Sequence, residues 1–203
     1  MRHDYDSRSL KERFDHLLKV IASDRFLQKM GLGNEVPFFI CPFDPNEGYE
    51  MQKLVQNLTQ KLQKQGVSAL EVNLYDLAID LLRERGIFDQ ILEEEQEYEK
   101  PELQELLQGV LDPEVHVVPA IADRMRQSRF DVLFITGVGE VYPYIRSHSI
   151  LNNLQKEAKE QPTVMFFPGK YTQTLSSGAS LDLFGRLHND KYYRAFNIYH
   201  YET

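Results

Sequence analysis

VPFFICPFDPNEGYEMQKLVQNLTQKLQKQG, residues 36–66, passes from one periodicity to another within a few positions. Val36–Cys41 is a continuous apolar run of strand length, which predicts a strand buried on both faces. Met51, Leu54, Val55, Leu58 and Leu62 then recur at helical spacing, and Gly66 stops the helix. A doubly buried strand followed by an amphipathic helix is the unit from which parallel sheets with covering helices are built. The linker PFDPNEG predicts a helix start, with Asp44 as N-cap, Pro45 in the first turn and Glu47 completing a capping box. A phosphate-binding loop here would need GxxxxGK[ST], but the stretch has one glycine and no lysine before Lys53. The carboxylates of Asp44 and Glu47 complement the positive end of the helix and would repel a phosphate.

The alternation continues outward. Leu10, Phe14, Leu17, Leu18 and Ile21 predict an opening helix over residues 8–29, ended by Gly31 and Gly33. Ala69–Leu74, Val132–Ile135 and Thr163–Phe167 are the next strands, and YYRAFNIYHY (192–201) is the last. Helices are expected at Tyr75–Gly86, from Ile87 to about Leu107, at 116–128, and through Ile150, Leu151, Leu154 and Ala158. The glutamate-rich EEEQEYEKPELQEL (93–106) suits a solvated helical hairpin better than an acidic binding tail. The pattern predicts an α/β fold: one domain over 1–203, a three-layer sandwich with a mainly parallel sheet of about five strands, and an acidic helical insertion at about 76–112.

Composition narrows the function. A net charge of -8 argues against the nucleic-acid backbone as a general target, leaving only a local basic patch. The tyrosines of the tail, Tyr192, Tyr193, Tyr199 and Tyr201, fit sheet packing better than a stacking platform for bases. The charged N-terminus has no apolar signal core, and no window has the length of a membrane span, so a cytoplasmic protein is expected. Cys41 alone excludes an intrachain disulfide and a cysteine metal cluster. Inside PFFICPF it reads as a small buried hydrophobe.

Ligands of open parallel sheets sit beyond the carboxyl ends of the strands. Besides PFDPNEG, two loops fall there. GVGEVYPYIRSH (137–148) supplies Gly137 and Gly139 without the third glycine of a dinucleotide fingerprint, so tight turning and close helix packing explain the glycines. Glu140, Tyr142, Tyr144, Arg146 and His148 are more than a turn needs. Glu140 and Arg146 suit an ion pair bracing the loop, or Arg146 and His148 suit an anionic partner. PGKYTQTLSSG (168–178) offers Lys170 behind a Pro168–Gly169 turn signal, followed by small residues that suggest a flexible loop. Catalytic patterns are missing: there is no GxSxG, no HExxH, and no histidine pair at metal-ligand spacing. Asp44, Glu47, Glu140 and His148 could meet around a cation only if the loops converge, and their spacing does not demand it.

The run TGVGEVYPYIRSHSILNNLQ, followed by PTVMFFPGKY, LDLFGRL and YYRAFNI, resembles the BrxB family of bacterial BREX phage-defence systems. PFFICPFDPNEGYEMQKL and VNLYDLAIDLL agree with that family's N-terminal half, so the resemblance covers nearly the whole chain. It implies a cytoplasmic core component encoded beside an adenine methyltransferase, a large ATPase and a PglZ-type protein, the last being the direct contact. It brings no catalytic residues and no cofactor. Gly137, Gly139, Glu140, Tyr142, Pro143, Arg146, His148, Gly169 and Arg194 are the motif positions it singles out.

The expected function is therefore that of a non-catalytic scaffold which binds the PglZ-type protein through a cleft formed by Asp44, Glu47, Glu140, Tyr142, Arg146, His148, Lys170 and Arg194. The alternative is a ligand- or nucleotide-sensing protein, or an enzyme, using the same cleft with Arg146, His148 and Lys170 on an anion. A strand with LFITGVGE where a Walker B strand would run suggests a degenerate, non-hydrolysing relative of P-loop ATPases, as a hypothesis of fold only.

Overall fold

β1 (Phe38–Phe43) is buried at all of its positions, as its unbroken apolar run requires. The structure, a computed structural model, describes residues 8–30, 32, 35–174, 178–185, 187 and 195–202. β1 lies inside the sheet, parallel to β4 (Thr163–Thr174) on one side and to β6 (Phe196–Asn197) on the other. β2 (Ala69–Asn73) pairs with β3 (Val132–Thr136), and β3 with β4, also in parallel. The resulting order is β2-β3-β4-β1-β6, with β5 (Gly178–Leu183) antiparallel to the far half of β4. The expected α/β class with a mainly parallel sheet is the one observed.

Helices cover both faces. From β1 the chain steps to the β2 edge through α3 (Gly48–Lys64), which shares one face with α1 (Leu10–Ile21) and α2 (Asp24–Leu27). It returns through α4 (Leu74–Glu84), α5 (Phe88–Glu94), α6 (Lys100–Val110), α7 (Val118–Gln127) and α8 (Ser147–Leu154) on the opposite face. Reversal of direction forces this change of face, because crossovers between parallel strands are right-handed. β1 feeds both layers: Phe39, Cys41 and Phe43 pack with α1–α3, while Phe38 and Ile40 pack with the others. Among the described residues no helix is long and apolar enough to cross a membrane.

Four local expectations are corrected. The opening helix is two, because the Ser23 hydroxyl accepts from Phe26 N–H at 3.3 Å and starts α2. Pro168–Gly169 is not a turn: β4 continues through it to Thr174. Past Phe43↔Pro168 the strand has no parallel partner in β1, and it pairs instead with β5 from Gly169↔Leu183 onward. The flexible loop read at LSSGAS is partly β5, while 175–177 lie outside the described residues. The final strand is two residues in the described part of the tail and gives way to a helical turn at Ile198–His200, where Asn197 Oδ1 accepts from Tyr199 N–H.

The glutamate-rich region is helical and largely solvent-facing. In the last turn of α6, Gln108 donates to Pro143 O at 3.1 Å, so this region also steadies the loop after β3.

Candidate functional site

The loops after β1 and β3 leave toward opposite faces, and a cleft of about 540 Å³ opens between the start of α3, the carboxyl ends of β1, β2 and β3, and the middle of β4. Its wall is apolar at Phe43, Met51, Val55, Val138, Phe166 and Phe184, and polar at Tyr49, Gln52, Glu71, Asn73, Thr136 and Glu140. No Lys, Arg or His lines it among the described residues. Thr136 Oγ1 donates to Glu71 Oε1 at 2.8 Å, which fixes the carboxylate against the end of β3.

Both glycines of the GVG motif have packing roles. Gly137 has φ +70°, and a Cβ there would lie 2.3 Å from Asn73 Oδ1. That oxygen is already engaged, accepting from Tyr75 N–H at 2.8 Å and Asp76 N–H at 3.3 Å to cap α4. At Gly139 a Cβ would lie 2.9 Å from Pro168 Cγ and 3.1 Å from Phe184 Cε1. The motif thus lets three neighbouring chain segments meet at the head of the sheet.

The acidic loop after β1 is only partly as expected. Asp44 Oδ1 accepts from Asn46 N–H at 2.9 Å, so Asp44 does cap the turn Pro45–Glu47. Glu47 completes no capping box. Its carboxylate accepts from the buried Arg13 guanidinium of α1 at 2.6 Å. A buried arginine is a stronger draw than a backbone N–H that water can serve, because a buried cation is costly unless a charge partner meets it.

The remaining candidates do not gather in the cleft. Tyr142 stands behind it, its ring edge-on to Phe184 with centroids 6.3 Å apart. Arg146 is exposed at the start of α8, and His148 is buried inside that helix. Lys170 sits opposite Asp182 in the β4–β5 register, where unlike charges favour the pairing. Arg194 lies outside the described residues. Ion pairs form at Arg13–Glu47, Arg124–Asp80, Arg126–Asp123 and Lys156–Glu114, and the expected Glu140–Arg146 brace is not among these. Nor do Asp44, Glu47, Glu140 and His148 converge: among the described residues no group of three or more His, Cys, Asp or Glu could hold a metal ion.

Residues 70–198, from β2 to the end of β6, match the family described as BREX protein BrxB. The chain belongs to the BrxB family. It is 35% identical over 195 residues to a BREX protein BrxB of Bacillus cereus (strain H3081.97), covering 94% of this chain and 98% of that protein. It is 29% identical over 189 residues to a BREX protein BrxB of Escherichia coli O9:H4 (strain HS), covering 93% and 91%. No solved structure matches. The BrxB-family match contains Glu71, Thr136, Gly137 and Glu140 of the cleft, whereas the α3 wall precedes it.

Of the described cleft candidates Glu140 lines it, as do Gly137 and Gly139 of the motif and Pro45 and Gly48 of the acidic loop. Tyr49, Gln52, Glu71, Asn73 and Thr136 were missed. Glu71 had a weak signal, as the one charged position of its strand. Gln52 and Tyr49 had none, since each sits on what periodicity reads as the solvent side of α3.

Proposed function

We propose that the chain serves BREX phage defence as a non-catalytic scaffold that binds the PglZ-type protein of its system. Membership of the BrxB family supports the setting. The observation that carries the scaffold reading is the make-up of the cleft: an apolar wall, exposed aromatics at Tyr49 and Phe184, two carboxylates, and no basic lining residue among those described. Such a surface suits protein side chains and opposes phosphate. Gly137 and Gly139 serve packing, and Glu47 serves an ion pair. The degenerate, non-hydrolysing P-loop-like core belongs to the same proposal, as a hypothesis of fold only. Co-expression tests the reading: the two proteins should elute as a stoichiometric complex, and two folded proteins that stay apart at micromolar concentration and low salt would overturn it.

The second reading, a small-ligand sensor, draws on the cleft volume of about 540 Å³, within the usual range for ligand sites. The acids limit its ligand to a neutral or cationic compound. A thermal-shift screen with nucleosides and amines tests it, and no shift across the panel would remove it.

A further inference from the structure

We propose that the cleft receives an arginine or lysine side chain presented by an exposed segment of the partner protein. The proposal rests on the scaffold reading and specifies its contact.

The cleft has the parts such a side chain needs. Phe43, Val55 and Phe166 offer apolar wall to the methylene stem. Glu71 from β2 and Glu140 from the loop after β3 supply negative charge on two separate segments. The Thr136 hydroxyl holds Glu71 at 2.8 Å, so part of the ordering a charged pair requires is present before binding. Aromatic faces add to this. Tyr49 and Phe184 line the cleft while remaining 64% and 38% exposed. Tyr49 shows the chemistry within the molecule itself: the Lys53 ammonium lies 4.2 Å from its ring centroid.

Charge complementarity selects this occupant over others. An acidic or phosphorylated segment would face Glu71 and Glu140 without a basic lining residue to meet it among those described. A wholly apolar side chain would leave both carboxylates partly desolvated and unpaired, which is unfavourable. A guanidinium or ammonium on an alkyl stem satisfies both kinds of surface.

The test uses the full chain, the intact PglZ-type protein, and overlapping peptides tiling that protein, the methyltransferase and the large ATPase, with binding read by fluorescence polarisation. Peptides that bind should contain arginine or lysine beside apolar residues, and norleucine in place of the basic residue should abolish binding. Gln52→Lys adds a cation to the cleft from an exposed helical position, so the fold is kept. It should weaken binding about tenfold or more, and Glu71→Gln should do the same. If the intact PglZ-type protein binds wild type and Gln52→Lys equally, the cleft proposal falls and the scaffold reading stands. If only peptides from another component bind, and Gln52→Lys blocks them, the cleft proposal stands and the choice of partner falls. Preferred binding of acidic or uncharged peptides overturns the cleft proposal, and no binding of any probe overturns both.

Discussion

The Arg13 guanidinium donates to the Glu47 carboxylate at 2.6 Å, tying α1 to the loop that begins α3. The two ends differ: the Arg13 side chain is 3% exposed and that of Glu47 is 37% exposed. Burial pulls the Arg13 pKa down, but the hydrogen bond it donates to Glu47 and its interaction with Tyr199 outweigh this, and the result is a raised value.

That asymmetry predicts unequal costs. Glu47→Ala leaves a buried cation without its partner and should cost about 3 kcal/mol. Arg13→Met leaves a carboxylate that water can reach, and it also removes a buried Nε without a hydrogen-bond partner, so it should cost no more than about 1 kcal/mol. Urea denaturation of both variants decides the order, and the reverse order would refute this account. A raised folded pKa contributes fully below the unfolded value and is lost only as pH rises through the folded one. The difference between wild type and Arg13→Met should thus stay constant from neutral pH into the mildly alkaline range.

Gly137→Ala should be costly twice over, through its φ of +70° and through the Asn73 amide oxygen 2.3 Å from the new Cβ. A loss of about 2–4 kcal/mol is expected. Asn73→Ala by itself should cost about 1 kcal/mol, as loss of the α4 cap. In the double variant the clash is gone, so the two costs should add to less than their sum. Strict additivity would show that the Gly137–Asn73 approach is not the source.

Gly169 and Gly109 should behave oppositely. A Cβ at Gly169 would lie 2.3 Å from the backbone oxygen of Asp182, so Gly169→Ala must open the β4–β5 pairing and should cost about 2 kcal/mol or more. Gly109, inside α6, has nothing within 4 Å, and Gly109→Ala should stabilise by about 0.5–1 kcal/mol. Thermal midpoints of the two variants on either side of wild type would meet the expectation.

ATP and ADP should leave the melting temperature unmoved, because a phosphate entering the cleft meets Glu71 and Glu140 and no basic lining residue among those described. A saturable upward shift on titrating either nucleotide would contradict this reading of the cleft.

The layers follow from local patterning alone. Unbroken apolar strands such as FFICPF can be satisfied only between two covers, and the alternation of strand and helix then dictates a parallel sheet. The same patterning determined equally that Asp44 starts a turn and that Gly66 ends α3, since caps and positive φ are properties of a few consecutive residues. It also allowed the close packing of Gly137 to be expected, though not the neighbour that demands it. The destinations of the long side chains were set by packing between distant segments. Glu47 was claimed by Arg13, thirty-four positions away, and Lys170 was set opposite Asp182 once β4 outran β1. Packing also drew Gln52 and Glu71 from a helix and a strand that local patterning leaves unconnected. A cleft is made of distances between elements, and pairing and packing fix those distances only after the chain has closed on itself.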